Sequence, residues 1–108
     1  MRVQRSERFD TDLEWQFRWY LLETDLEADD ALALATRFAD AVDAALEFLR
    51  RNPEIGRRRF DTYADLAGTR SWPVLKPFHR FIIFCRVDNG ILSAERLLEG
   101  HSRLAGGH

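Results

Sequence analysis

The sequence is poor in the residues that form covalent or metal-based cross-links. Cys85 is the only cysteine among 108 residues, so the chain cannot form an internal disulfide and has no cysteine pair to begin a zinc site. Cys85 lies in an apolar run with Ile83, Phe84 and Val87, which favours a buried, inert thiol over a nucleophile. We therefore expect an apolar core to hold the fold, with no metal and no cofactor.

Long apolar runs are also missing. The uninterrupted apolar stretches are a few residues long, far short of the ~20 that cross a bilayer, and the N-terminus has no apolar segment of the signal-peptide kind. We expect a cytoplasmic protein without membrane contact. The length suits one domain over residues 1–108, with 105–108 as a frayed tail.

Lysine is nearly absent, and the charges are distributed unevenly. Lys76 is the only lysine among 16 basic residues; residues 1–49 carry a net charge of −7 and residues 50–108 a net charge of +5. The rigid fork of arginine suits paired hydrogen bonds to carboxylates and phosphates. The basic half predicts an anionic partner, whereas the acidic half argues against sequence-specific or general nucleic-acid binding.

The C-terminal third is predicted to form a β-hairpin. Two β-branched and aromatic runs, residues 80–87 and 91–98, flank Asn89-Gly90, and both of these residues tolerate the positive φ of a type I′ turn. Counting outwards from this turn places Ile82 and Phe84 on an outer, mixed face, and places Leu98 with Ile83 on the core face. The same counting makes Arg86 a partner of Glu95 on the outer face.

Two other arginines of the hairpin differ in their predicted environments. Arg96 falls on the core face, where it needs an acidic partner such as Asp12 or Asp43. Arg80 has no evident partner in the hairpin, so solvation and a functional role are both open for it.

The N-terminal half is predicted to form a short strand followed by a helical hairpin. Residues 1–5 alternate and precede a capping Ser6, and helix one then shows the core spacing Phe9, Leu13, Phe17 and Tyr20. A second stripe on helix one, Trp15, Trp19, Leu22 and Leu26, is either a partner surface or a face covered by helix two. Helix two is expected to start after a capping box at Thr24 and Glu27 and to end at Asn52-Pro53. The apolar stripe of helix two consists of Ala31, Ala35, Phe38, Val42, Ala45, Leu46 and Leu49.

A loop over residues 54–68 carries three consecutive arginines, Arg57, Arg58 and Arg59, close to Phe60 and Tyr63. Such a cluster can bind a phosphate backbone or an acidic peptide. The alternative is that the segment is a solvated loop without a binding role. Altogether the elements predict an α+β domain of order β-α-α-β-β-β, a helical hairpin packed on a twisted antiparallel sheet.

The sequence of the C-terminal third resembles that of the ParE branch of the RelE/ParE toxins, which belong to type II toxin-antitoxin modules. The segments that carry the resemblance are Ser71-Trp72-Pro73-Val74, Pro77-Phe78, Ile83 to Val87, and Arg96-Leu97-Leu98-x-Gly100. Two positions depart from the pattern: Glu99 stands where that branch commonly has a histidine, and Cys85 stands where an aromatic is frequent.

The resemblance implies a toxin that binds and blocks DNA gyrase without turnover. It also implies a cognate antitoxin that wraps a flexible segment around the toxin in a hetero-oligomer. We expect target contacts at His79, Arg80 and Arg57 to Arg59. The residues expected to contact the antitoxin are Trp15, Trp19, Leu22, Ile82 and Phe84.

Two alternatives stay open, a ribosome-dependent mRNA endonuclease of the RelE type and a decayed toxin that only binds its antitoxin. Arg80 matches an arginine of the ribonuclease branch, but Ser71, Pro73 and Ser102 stand where further catalytic residues are expected, and no tyrosine follows Tyr63. His79 and His101 are the remaining acid-base candidates, and we expect no catalytic residue.

Overall fold

The computed structural model describes residues 1–58 and 64–100. Two helices pack on one face of a five-stranded sheet, which confirms the α+β class. The helices are α1 (Glu7–Leu22) and α2 (Ala28–Arg51). The strands are β1 (Arg2–Arg5), β2 (Arg57–Arg58), β3 (Arg70–Pro73), β4 (Phe81–Asp88) and β5 (Ile91–Glu99), with a short 3-10 turn at Ala64–Leu66.

The sheet has the strand order β1-β5-β4-β3-β2 and is mixed. Strands β3 to β5 pair antiparallel as expected, and the additional strand β2 also pairs antiparallel with β3. Strand β1 instead runs parallel to β5, with Arg2 opposite Ile91 and Arg5 opposite Ala94. The parallel pair is possible because the two helices carry the chain across the sheet. Since β1 ends opposite Ala94, no strand among the described residues lies beside the rest of β5 at this edge.

The segment 54–68 contains structure that the sequence did not predict. Arg57 and Arg58 form β2 and pair with Ser71 and Arg70 at the far edge of the sheet. Arg70 supports this arrangement, because its Nη1 donates to the carbonyls of Glu54 at 3.0 Å and Gly56 at 2.9 Å. Arg59, Phe60 and Tyr63 lie outside the described residues, as do the predicted frayed tail and His101.

The starts of the two helices differ. Ser6 caps α1 as predicted, since its Oγ accepts a hydrogen bond from the amide of Phe9 at 2.9 Å. The capping box predicted for α2 is wrong: Glu27 stands at the N-cap without a side-chain cap, and the hydroxyl of Thr24 donates to the carbonyl of Tyr20 at 2.9 Å. Thr24 therefore closes α1 instead of opening α2.

The core lies between α2 and the central strands. All seven residues of the predicted α2 stripe are buried, from Ala31 to Leu49, and the helix ends at Arg51, with Asn52 as its C-cap, as expected. Phe38 is at its centre, with ring centroids 5.4 Å from Phe78 and 5.1 Å from Phe81. Such tilted ring pairs stabilise a core beyond the area they bury.

The hairpin turn is confirmed, but its register changes part-way along. Asn89 and Gly90 have φ angles of 51° and 74°, as a type I′ turn requires. Between Phe84 and Cys85 the pairing shifts by one residue, because Glu95 is an extra residue in β5. The shift exchanges the faces beyond it, so Leu97 is buried and Leu98 exposed, opposite to our expectation. The predicted core-face position of Arg96 is wrong for the same reason, because Arg96 lies opposite Phe84 and its side chain is 36% exposed.

Candidate partner-binding surfaces

An apolar stripe on α1 faces solvent. The exposed fractions are 72% for Trp15, 44% for Trp19, 69% for Leu22 and 46% for Leu26, which follows the helix. The alternative in which the second helix covers these residues is wrong. We call Trp15, Trp19, Leu22 and Leu26 the outer stripe.

The outer stripe lies on the flank of α1 that faces away from α2. On the opposite flank, Leu13 and Phe17 share a groove with Ala39 of α2. Asp12, which is three residues before Trp15 and so on the same side of the helix, contacts β5. The outer stripe therefore lies beside the part of β5 that β1 leaves uncovered.

Asp12 holds α1 to this uncovered edge. Its carboxylate accepts hydrogen bonds from Arg96 Nε at 2.8 Å and Nη2 at 3.0 Å, and another from the amide of Leu97 at 2.9 Å. The hydrogen bond from Asp12 raises the pKa of Arg96. The predicted structural pairing of Arg96 is confirmed, and the carboxylate replaces a strand partner for the Leu97 amide.

The outer face of the sheet carries the other residues expected to contact the antitoxin. Ile82 and Phe84 alternate with the buried Phe81, Ile83 and Cys85 and are half-buried. They face away from the helices, whereas Trp15 and Trp19 belong to the helical layer. The structure thus divides the predicted antitoxin residues between two surfaces.

Ion pairs organise the outer face. The predicted pair is present, with Arg86 Nε 3.6 Å from Glu95 Oε1, and Arg86 also donates to the hydroxyl of Thr69 at 3.1 Å. The prediction that Arg80 lacks a partner in the hairpin is wrong, because Arg80 Nε is 3.3 Å from Glu99 Oε2. The pair is solvent-exposed, so it is worth little to stability and leaves the guanidinium accessible.

The basic residues expected to contact the target occupy two places on the sheet. His79 and Arg80 are exposed and immediately precede β4, and Arg57 and Arg58 are exposed on the edge strand β2. Arg57 is opposite Ser71, which in turn is opposite Phe84. The two groups are thus separated by roughly 13 Å along the strands and 10 Å across them.

The described residues hold neither a metal-ligand cluster nor an exposed thiol. Among residues 1–58 and 64–100, no three His, Cys, Asp or Glu side chains lie close enough together to hold a metal ion. Cys85 is fully buried, and burial raises its thiol pKa to about 11. A thiol in this state is a poor nucleophile near neutral pH, as expected.

A family model described as the ParE toxin of the type II toxin-antitoxin system parDE matches residues 3–102. The chain belongs to this ParE toxin family. Among solved structures, the chromosomal ParDE TA system from P. aeruginosa matches with a TM-score of 0.69 and 16% identity, covering 94% of this chain and 97% of that chain. At this identity the likeness concerns the fold. No curated protein sequence shows significant similarity to the chain.

One residue of the ParE-like pattern has a structural explanation. The amide of Gly100 donates to the carbonyl of Arg80 at 2.8 Å, and a Cβ at this position would lie 2.5 Å from Cγ1 of Ile82. Only glycine fits there without movement of the Ile82 side chain. Within the described residues, neither helix has the length and apolar character needed to span a membrane.

The sequence predicted Asp12 as one of two candidate partners of Arg96, but it did not predict a second contact of the Asp12 carboxylate. Its second contact, to the amide of Leu97, depends on where β1 ends, and no local pattern reveals that position. The acidic partner of Arg96 was predicted for a reason that is wrong, because the register shift places Arg96 opposite Phe84 with 36% of its side chain exposed, and not on the core face.

Proposed function

We propose that this chain is a cytoplasmic toxin that binds DNA gyrase and inhibits it, and that a cognate antitoxin neutralises it in a hetero-oligomer. The observation that carries the proposal is the family match over residues 3–102, which spans both helices and all of the described strands except the first residue of β1. The arginine-rich edge supports an anionic target surface. Inhibition by binding requires no catalytic residue, in keeping with the exposed and scattered histidine and arginines.

The antitoxin is proposed to contact both surfaces described above. Trp15, Trp19 and Leu22 offer apolar area beside the helical layer, and Ile82 and Phe84 offer area on the outer sheet face. The uncovered edge of β5 lies between them. A flexible segment that passes around this edge reaches both surfaces, whereas a rigid domain of similar length does not.

Gyrase is proposed to contact His79, Arg80 and the arginines of residues 57–59. The exposure of Arg57, Arg58 and Arg80 suits contacts with acidic side chains of a partner. The two groups together span a surface that a single protein domain can cover.

A ribosome-dependent endonuclease is the competing function, and one experiment separates the two. The purified toxin, freed from its antitoxin, is added to a gyrase supercoiling assay and, in parallel, to translating ribosomes whose message is read by primer extension. We expect loss of supercoiling with intact message. Codon-specific cleavage with normal supercoiling would overturn the proposal.

A matched pair of variants tests the target surface. Arg80→Ala removes an exposed guanidinium at the start of β4, and Arg37→Ala removes an exposed guanidinium from α2 as a control. We expect Arg80→Ala alone to weaken growth inhibition, with a stability change below about 1 kcal/mol because its ion pair is exposed. Equal toxicity of the two variants would place the gyrase contact elsewhere.

A further inference from the structure

Helix α1 and strand β5 run side by side in the same direction. The hydroxyl of Ser6 donates to the carbonyl of Glu95 at 2.9 Å, and further along both elements the carboxylate of Asp12 accepts from the amide of Leu97 at 2.9 Å. Seven more residues of α1 cover about 10 Å and return to the same side of the helix, and three more residues of β5 cover about the same length. Trp19 of the outer stripe therefore lies beside the end of β5.

Tyr20 connects this part of the outer stripe with the residues that precede β4. Its ring lies edge-on to Trp19, with the centroids 5.7 Å apart, and 6.1 Å from the ring of Phe78. Burial raises the pKa of Tyr20, and the nearby charges of Arg80 and Glu99 act on it as well, the first lowering and the second raising it. Trp19 and Arg80 therefore lie near the same ring.

Ile82, on the outer face of the sheet, borders Arg80 from the other direction. The amide of Gly100 donates to the carbonyl of Arg80 at 2.8 Å, and the space for a side chain at Gly100 is filled by Cγ1 of Ile82. Gly100 thus brings the main chain of Arg80 and the side chain of Ile82 together where β5 ends. Arg80 is located where the two surfaces assigned to the antitoxin meet.

The side chain of Arg80 is suited to a new acidic partner. It is 62% exposed, and its Nε is 3.3 Å from Oε2 of Glu99, which is 40% exposed. An exposed ion pair of this kind contributes little to stability, so an incoming carboxylate can replace Glu99 at small cost. A guanidinium also carries five N–H donors in a rigid fork, so the Nη groups can bind a second carboxylate while Nε faces the first.

We propose that Arg80 is a contact shared by gyrase and the antitoxin, each of which binds its guanidinium through an acidic side chain. This inference rests on the proposed function, which assigns Arg80 to gyrase and the residues on both sides of it to the antitoxin. A flexible segment that passes from Trp19 around the edge of β5 to Ile82 covers Arg80 on its way. Once covered, the guanidinium needs an acceptor, and a carboxylate forms the strongest hydrogen bonds with it. Toxin bound to its antitoxin then cannot bind gyrase through Arg80.

Arg57 provides a comparison within the same molecule. It is also assigned to gyrase, but it lies on the edge strand β2, separated from β4 by β3. The distance across the strands from Arg57 to Phe84 is roughly 10 Å, and the end of β5 is further away along the strands. A segment that follows the edge of β5 does not reach it, so Arg57 should serve gyrase alone.

The first experiment tests whether the two partners exclude each other. Gyrase is immobilised on a biosensor and exposed either to the free toxin or to the preformed toxin–antitoxin complex at the same toxin concentration. We expect capture of the free toxin and no capture of the complex. Capture of the complex with its antitoxin would overturn the shared contact and leave the proposed function standing. Failure to capture the free toxin would overturn the proposed function, and the shared contact with it.

The second experiment tests Arg80 itself by titrating folded toxin variants with the antitoxin and, separately, with gyrase. Arg80→Ala should weaken both affinities at least about tenfold, because charge-assisted hydrogen bonds are lost to each partner. Arg57→Ala should weaken gyrase binding and leave antitoxin binding unchanged, and Arg37→Ala, on α2, should affect neither. Arg80→Lys keeps the charge without the fork and should show a smaller loss with both partners, which provides a second readout if Arg80→Ala unfolds. Unchanged antitoxin affinity in the Arg80 variants would overturn the shared contact.

Discussion

The two helices use their apolar residues differently. In α2 seven apolar residues along one stripe are buried against the sheet and α1, and the other side is mostly charged and small. In α1 only Phe9 is fully buried, while Trp15 and Trp19 on another face are exposed. Both helices are amphipathic, but α1 carries more apolar surface than the fold covers.

This difference separates stability from binding. The buried residues of α2 lie at the interface between the helices and the sheet, so changing them should alter the free energy of unfolding. Residues of the outer stripe are exposed to solvent, so changing them should mainly alter the affinity for partners. We therefore expect that changing Phe38 of α2 lowers stability, whereas changing Trp15 and Trp19 of α1 lowers partner affinity.

The largest effect is expected in the α2 core. Phe38→Ala removes a fully buried ring that contacts Tyr20, Phe78 and Phe81, and should lower the free energy of unfolding by about 3–5 kcal/mol. Urea unfolding followed by circular dichroism measures the change. Leu32→Ala, on the exposed side of the same helix, is the control and should stay within about 0.5 kcal/mol.

A smaller effect is expected where α1 contacts β5. Asp12→Ala removes the partner of Arg96 and the acceptor of the Leu97 amide, so we expect a loss of about 1–3 kcal/mol. Asp12→Asn keeps an acceptor for the amide and should lose less. Urea unfolding of the three proteins tests this order, and equal stability of Asp12→Ala and the wild type would contradict it.

The smallest expected change in stability involves Glu47, on the charged side of α2. Hydrogen bonds from Arg50 foremost, and from Arg51, lower the pKa of Glu47 from 4.5 to about 2. A carboxyl whose pKa is lower in the folded state stabilises the fold above its unfolded pKa and loses that contribution as pH falls.

The stability difference between the wild type and Glu47→Gln should therefore be constant above about pH 5 and vanish as the pH falls from 4.5 towards 2. Urea unfolding at a series of pH values measures this difference. A difference independent of pH would show that packing of the side chain, and not its charge, is responsible.

The parts predicted from the sequence are those with strong local patterns. The α2 stripe follows helical spacing, and the Asn89-Gly90 turn follows from backbone preferences. An acidic partner of Arg96 was predicted from a core-face position that Arg96 does not have, because it lies opposite Phe84 and is 36% exposed. The parallel pairing of β1 joins residues about 90 positions apart, which no local pattern encodes. The extra residue Glu95 has no marker in the sequence, and it alone reversed the faces of Leu97 and Leu98.

The surfaces were predicted less completely for a related reason. Spacing showed that α1 carries two apolar stripes, but which one the fold covers depends on how the helices pack. The pair Arg80–Glu99 was missed because it joins two ends of strands beyond the shift in register. Ion pairs at strand ends depend on such shifts more than on residue identity.

The most direct test of the division between the helices is Trp15→Ala with Trp19→Ala, measured for both stability and antitoxin binding. We expect a folded protein that loses less than about 2 kcal/mol, because 72% of Trp15 and 44% of Trp19 are exposed, and at least about tenfold weaker antitoxin binding. Loss of the folded circular dichroism signal would contradict the account, and so would unchanged antitoxin affinity in a folded variant.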